Sequence, residues 1–220
     1  MPSINELRVV CQSGIKGKDV WSWFQIQRRF SIYFTKLFVT FGVSANQVTF
    51  INLLTVIFAL TLIVFKQFIF GFLLLQLYFV LDCSDGEVAR YFKAAGPKGL
   101  FIDRLVHIVT EPLLFLSLAF SINQLWLGII PALCCENGLR LIGWGYEVSQ
   151  KEEGTATTKD MIRKSVVTEV LRFFAIYGFT WLTLVVLFGD VWLALLLGVW
   201  SAWTLLSCVY LSIKLIYKKC

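Results

Sequence analysis

The chain has 220 residues, 58% of them hydrophobic and only 15% charged, a balance that excludes a soluble globular domain of this length and places the protein in a bilayer. Its formal net charge of +6 is spread over membrane-edge joints with no concentrated stripe, which argues against nucleic acid as a partner and for topology and anionic lipid headgroups. The six cysteines, Cys11, Cys83, Cys134, Cys135, Cys208 and Cys220, show neither metal-finger spacing nor a secreted disulfide framework, so they receive no chemistry.

The first 18 residues are charged and lack the apolar core of a cleavable signal peptide, so no removal is expected. Asp19 to Thr40 mixes Trp21, Trp23, Phe24, Phe30, Tyr33 and Phe34 with Arg28, Arg29 and Lys36. That mixture predicts an amphipathic helix lying in the membrane interface, because the Arg28–Arg29 pair makes insertion costly. Gly42-Val43-Ser44-Ala45-Asn46 breaks the pattern, with Ser44 or Asn46 as the cap of the next helix. Six apolar stretches follow, each near the roughly 20 residues that a span requires: Asn46 to Lys66, Gln67 to Lys93, Gly99 to Ile122, Leu125 to Glu147, Lys164 to Phe188 and Val191 to Tyr217. The expected fold is an all-α integral membrane protein, a six-transmembrane-helix bundle preceded by the interfacial helix. Residues 1–45 form the cytoplasmic N-terminal segment and residues 46–220 the membrane domain.

Arg8, Lys16, Lys18, Arg28, Arg29 and Lys36 precede the first span, Lys98, Lys151, Lys159 and Arg163 lie in alternate joints, and Lys218 and Lys219 end the chain. The joints of opposite parity carry only Lys66, so both termini are expected in the cytoplasm. Ser149 to Asp160 is the longest polar joint and reads as a mobile cytoplasmic loop.

The chemistry concentrates between Leu81 and Glu111. Asp82 and Asp85 are three apart at the end of the second span and share a helical face; Gly86, Ala89 and Arg90 follow; Gly99 opens the third span, on which Asp103 and His107 are four apart. Two helices joined by so short a connection are neighbours, so Asp82, Asp85 and Asp103 are expected to converge. Converging carboxylates at a membrane edge repel one another unless a cation neutralises them. Oxygen ligands favour Mg²⁺ or Mn²⁺, which keep positions open for substrate phosphates. Gly86 and Ala89 leave room for a nucleotide beside the helix, and Arg90 offers phosphate a bidentate contact.

Asp82, two residues, Asp85-Gly86, two residues, Ala89-Arg90, eight residues, Gly99, three residues and Asp103 resemble the signature of the CDP-alcohol phosphotransferases (CDP-alcohol phosphatidyltransferases). The Asn46-Gln47-Val48-Thr49 entry to the first span, the basic amphipathic N-terminal helix and the six-span layout are also similar to that family. The resemblance implies a six-helix membrane fold that often dimerises. It also implies attack of an acceptor hydroxyl on a CDP-alcohol donor with release of CMP; the site's place at the membrane boundary points to a lipid as at least one substrate. Asp82, Asp85 and Asp103 would bind the metals, a pair of Mg²⁺ or Mn²⁺ ions. Gly86, Ala89 and Arg90, with Asp85, would contact the CDP moiety.

One position departs from the family. Where its pattern has a fourth aspartate this chain has His107, its only histidine. A neutral imidazole suits proton abstraction near pH 7, so His107 reads as the catalytic base; it reads equally as a ligand of the second metal. Glu111, one further turn along, either orients the imidazole or has no part in catalysis. Glu136, Asn137 and Arg140 in the fourth span, with Glu169 and Arg172 in the fifth, are acceptor-pocket candidates or local ion pairs. Two rival functions remain at this level: a catalytically inactive relative acting as a membrane scaffold, and a divalent-cation transporter built on the same carboxylates.

Overall fold

The computed structural model of the protein describes residues 2–13, 23–134 and 183–217. Arg140 and Arg172, with Glu136, Asn137 and Glu169, lie outside the described residues, as do the Ser149–Asp160 loop and most of the expected fourth and fifth spans. Among the described residues every regular element is helical: α1 (Ile4–Gln12), α2 (Trp23–Thr40), α3 (Ala45–Val64), α4 (Phe68–Tyr91), α5 (Pro97–Ser121), α6 (Trp126–Cys134), a single 3-10 turn (Val186–Phe188) and α7 (Asp190–Tyr217). Three of them are long and apolar enough to cross a membrane, namely Ala45–Val64, Phe68–Tyr91 and Asp190–Tyr210.

The chain divides into two compact units. Met1–Ala59 with Phe70–His107 form the first, and Leu60–Ile69 with Ile108–Cys220 the second.

In the first unit, α1 starts in a capping box. The Glu6 N–H donates to Ser3 Oγ at 3.2 Å and the Ser3 N–H donates to Glu6 Oε2 at 2.7 Å, satisfying two otherwise orphaned donors. Leu7 and Cys11, four apart and buried, pack with Ile32 of α2, and Ile4 and Tyr91 flank them. A helix is present over most of the expected Asp19 to Thr40 segment as α2, and its buried side carries polar residues among the apolar ones. Gln27, Ser31 and Thr35 are buried beside Ile32 and Phe38, whereas Phe30, Tyr33 and Leu37 are exposed. An outward apolar face and inward polar groups are what a helix needs when its surroundings are hydrocarbon and its neighbour is charged. After Gly42, at φ +67°, Ser44 caps α3: its Oγ accepts from the Gln47 N–H at 3.4 Å, and its own N–H donates to Gln47 Oε1 at 2.8 Å. Val48 of α3 joins Phe38, Leu81 and Val88 in a core that ties α2, α3 and α4 together. α4 ends at Tyr91, and the turn after it passes through Lys93, where φ is +54°, with the Ala94 N–H reaching back to the Ala89 carbonyl at 2.8 Å. The third expected span starts at Pro97, two residues before Gly99, because a proline's fixed φ and missing N–H suit the first helical position.

The second unit is organised by close backbone approach. A Cβ on Gly128 of α6 would sit 2.7 Å from both the Phe115 carbonyl oxygen and the Ala119 Cβ of α5, so only glycine allows this contact. α7 packs on α6 through Ser201, whose hydroxyl lies 3.2 Å from the Leu127 carbonyl and 2.7 Å from that of Leu197. Lys66 and Asp190 pair at 3.8 Å on the exposed edge.

Candidate active site

The signature residues lie in the first unit, on α4 and the first turns of α5. Tyr78, Asp82 and Asp85 follow one another at helical spacings of four and three on α4, and Asp103 and His107 are one turn apart on α5. The His107 imidazole reaches Asp82 through Nε2, 3.1 Å from Oδ1, and the same nitrogen lies 3.7 Å from Asp103 Oδ1. One ligand atom from each of Asp82, Asp103 and His107 can be chosen so that all fall within 4.8 Å of one another. Two carboxylates and an imidazole at that spacing fit a divalent cation, which would remove the repulsion between the carboxylates. Asp103 is 38% exposed against 16% for His107 and 18% for Asp82, so the open side of the cluster is Asp103's.

Asp85, buried, accepts a hydrogen bond at Oδ2 from Thr49 Oγ1 of α3 at 2.8 Å. Thr49 belongs to the Asn46–Thr49 entry, so the start of the first span and the signature helix meet at this carboxylate. The far nitrogen of His107, Nδ1, lies 3.2 Å from the Tyr78 hydroxyl. If Nε2 faces a cation, Nδ1 carries the proton and donates to Tyr78; if Nε2 carries it, the tyrosine hydroxyl donates to Nδ1. Tyr78 therefore couples to the tautomer of His107. Glu111 is buried in the second unit.

On the flank, Arg90 Nε donates to the Cys11 carbonyl of α1 at 2.6 Å. Its guanidinium lies along Gly86, where a Cβ would be 3.3 Å from Nη1 and 3.7 Å from Nη2. The glycine thus makes room for the arginine that the same signature carries. Ala89 is half-buried between them. Burial pushes the Cys11 thiol above its ordinary value; the charge of Glu87 adds to the shift and that of Arg90 opposes it. Cys11 is consequently a protonated core residue.

Three residues in this region do not stand out in the sequence, Gln12, Tyr78 and Glu87, while Thr49 is marked only as part of the Asn46–Thr49 entry. Tyr78 had a readable signal, since it lies four residues before Asp82 on the same face. Glu87 is fully buried within the signature itself, accepting from Gln12, Ser31 and Thr35.

No curated protein and no solved structure gives a significant match to the chain. The model of the CDP-alcohol phosphatidyltransferase family matches residues 42–203, more than half of the chain and all of the Asp82–His107 cluster. The family is one of membrane-associated transferases that generally use divalent metals, in keeping with the three apolar helices and the Asp/His cluster. This chain belongs to the CDP-alcohol phosphatidyltransferase family.

Proposed function

We propose that the protein is a metal-dependent transferase that moves a phosphoalcohol group, a phosphatidyl group among them, from a CDP-alcohol to an acceptor hydroxyl and releases CMP in phospholipid or related lipid synthesis. The observation that carries this reading is the meeting of Asp82, Asp103 and His107 inside the family's signature, with ligand atoms within 4.8 Å of one another. Asp82, Asp85 and Asp103 are the residues that would hold Mg²⁺ or Mn²⁺, and His107 beside them keeps its Nε2 lone pair for the acceptor's proton rather than for an ion. Bound there, such ions supply neutralising charge for the donor's diphosphate. Gly86, Ala89 and Arg90 receive the CDP moiety, and Arg90 offers the terminal edge of its guanidinium to phosphate oxygens.

His107 takes the proton of the acceptor hydroxyl as that oxygen attacks the phosphorus bearing the alcohol; the phosphorus–oxygen bond to CMP breaks and CMP departs. The hydrogen bond with Tyr78 steadies the imidazole while it does so. We further assign the chain six spans with both termini cytoplasmic, α2 at the inner membrane interface, residues 46–220 as the catalytic domain, and a homodimeric assembly. Glu111, Arg140 and Arg172 are assigned to the acceptor side, on the strength of ionisable residues at membrane depth facing protein or water.

The test uses purified protein in liposomes. CMP release from a CDP-alcohol should require Mg²⁺ or Mn²⁺, stop on chelation, and be lost in Asp85→Asn. His107→Ala should lose turnover while retaining affinity for CDP; unchanged turnover would remove the base role. Movement of Mg²⁺ across the sealed bilayer without nucleotide would establish a transporter instead, and CDP binding with neither activity would establish a scaffold.

A further inference from the structure

Residues 85 and 87 are two apart on a helix, about 200° around it, so they face opposite sides. Asp85 meets Thr49 of α3. Glu87 meets the N-terminal helices, and no part of it is exposed. Its Oε1 accepts from Gln12 Nε2 at 2.7 Å and from Ser31 Oγ at 2.8 Å, and its Oε2 accepts from Thr35 Oγ1 at 2.7 Å. Arg28 Nη1 lies 3.7 Å from Oε1. Gln12 Nε2 also lies 3.0 Å from the Arg28 carbonyl, joining α1 to α2 at the same point.

One turn further along α4, Arg90 Nε donates to the Cys11 carbonyl, the residue next to Gln12. All of these partners, Cys11, Gln12, Arg28, Ser31 and Thr35, precede residue 42, where the family match begins.

A buried carboxylate is tolerable only when its lone pairs are filled. An apolar side chain at position 87 would give α1 and α2 something to pack on at lower cost, but would not fix their register. Four polar partners from two helices fix it. With register fixed, the Cys11 carbonyl stands opposite Arg90 Nε and occupies the inner edge of the guanidinium. The outer edge, Nη1 and Nη2, then lies along Gly86. A guanidinium held at Nε keeps a planar pair of donors in one orientation, which is the geometry that diphosphate recognition needs.

We infer that α1 and α2 form a positioning clamp for donor binding, in which Glu87 docks the two helices and the Cys11 carbonyl aims Arg90 at the diphosphate of the CDP donor. This rests on the proposed function, since it takes Arg90 as a phosphate-binding residue. The clamp joins Glu87 and Arg90, inside the family match, to partners that precede residue 42.

The experiment measures equilibrium binding of CDP and of CMP, each with Mn²⁺, to full-length protein in nanodiscs. Gln12→Glu sets a second carboxylate against Glu87 and opens the clamp without touching Arg90. CDP affinity should fall about tenfold while CMP, which lacks the second phosphate, changes less than twofold. In an Arg90→Ala background Gln12→Glu should have no further effect, because the clamp acts through Arg90. Should Gln12→Glu fail to accumulate, Gln12→Ala removes one donor, and a fall of about threefold in CDP affinity alone is expected.

Equal losses for CDP and CMP, CDP affinity within twofold of the unaltered protein, or multiplying effects of Gln12→Glu and Arg90→Ala would each overturn the clamp. If the unaltered protein turns over CDP-alcohol and the Gln12 variants bind CDP undiminished, the clamp falls and the transferase reading stands. If CDP binding responds as expected but no CMP is ever released, the transferase reading falls and the clamp stands. If the unaltered protein binds no CDP, both fall.

Discussion

Replacing Glu87 by alanine tests the energetics of the signature helix's hidden face. The substitution removes the acceptor for three donors at a site with no exposure. A buried donor left without a partner costs about 1–3 kcal/mol. The three losses are unequal, however. Gln12 Nε2 keeps the Arg28 carbonyl at 3.0 Å and Ser31 Oγ keeps the same carbonyl at 3.3 Å, whereas Thr35 Oγ1 loses the carboxylate at 2.7 Å. Arg28 also loses the anion 3.7 Å from its Nη1. Removing one partner of a buried ion pair costs about 3–5 kcal/mol, and the two retained bonds pull the expectation to the lower end, about 3 kcal/mol.

Glu87→Gln is the control. Its amide oxygen can keep Gln12 and Ser31 while its NH₂ donates to the Thr35 oxygen, so about 1 kcal/mol is expected. Stability would be read by denaturant titration in mixed micelles, and local opening by the alkylation rate of Cys11, which is buried beside Leu7 and Ile32. Alanine should speed that alkylation far more than glutamine does. Equal costs for the two variants, or an alanine cost below about 1 kcal/mol with Cys11 still protected, would refute the account of Glu87 as a hydrogen-bonded anchor.

Gly128→Ala forces a Cβ to within 2.7 Å of the Phe115 carbonyl and the Ala119 side chain, and overpacking against backbone should destabilise the second unit by about 1–3 kcal/mol, read in the same titration. Tyr78→Phe removes the hydroxyl 3.2 Å from His107 Nδ1; turnover should fall about tenfold at unchanged CDP affinity, since partners of this kind orient the imidazole rather than bind substrate. Ser3→Ala should loosen α1 by about 1 kcal/mol, measured by hydrogen exchange over residues 4–12. The Ser3 main-chain N–H, and then its hydroxyl, hold the Glu6 carboxyl below its ordinary value of 4.5. A lowered folded-state value means that this contribution is present above pH 4.5 and lost as pH falls through the folded value. Protection of α1 should therefore be level from pH 5 to 8 and decline below 4.5.

The limits of the long helices were legible in the residues. α3, α4, α5 and α7 begin and end within two residues of the expected spans, because apolar runs bounded by Gly, Pro and charged joints carry their own punctuation. The neighbourhood of Asp82 and Asp103 was legible because a short connection makes two helices neighbours. The expected set was Asp82, Asp85 and Asp103, however, whereas the group within 4.8 Å is Asp82, Asp103 and His107, with Asp85 bonded to Thr49 of α3. The capping box that starts α1 was also readable, as Ser3 followed three residues later by Glu6. What stayed hidden was non-local. The polar side of α2 reads as a water-facing surface until Glu87, 52 residues beyond Thr35, is seen to fill it.

The two faces of α4 also explain how one helix carries three acidic residues within six positions. Asp82 and Asp85 share a face, and with Asp103 from α5 they gather like charge around His107, whose Nε2 lies 3.1 Å from Asp82 Oδ1 and 3.7 Å from Asp103 Oδ1. Glu87, on the opposite face, is answered by three hydrogen bonds and by Arg28. A divalent ion therefore fits the first face, where ligand atoms of Asp82, Asp103 and His107 lie within 4.8 Å of one another, and is superfluous on the second. Carboxyl count alone would treat Glu87 as a fourth metal ligand; the helical angle and the donors already on its oxygens make it an anchor. Removing divalent ions should accordingly loosen the Asp82–His107 side of α4 while leaving exchange protection at Ser31 and Thr35 unchanged, and loss of protection at those two positions on chelation would show that the faces are not independent.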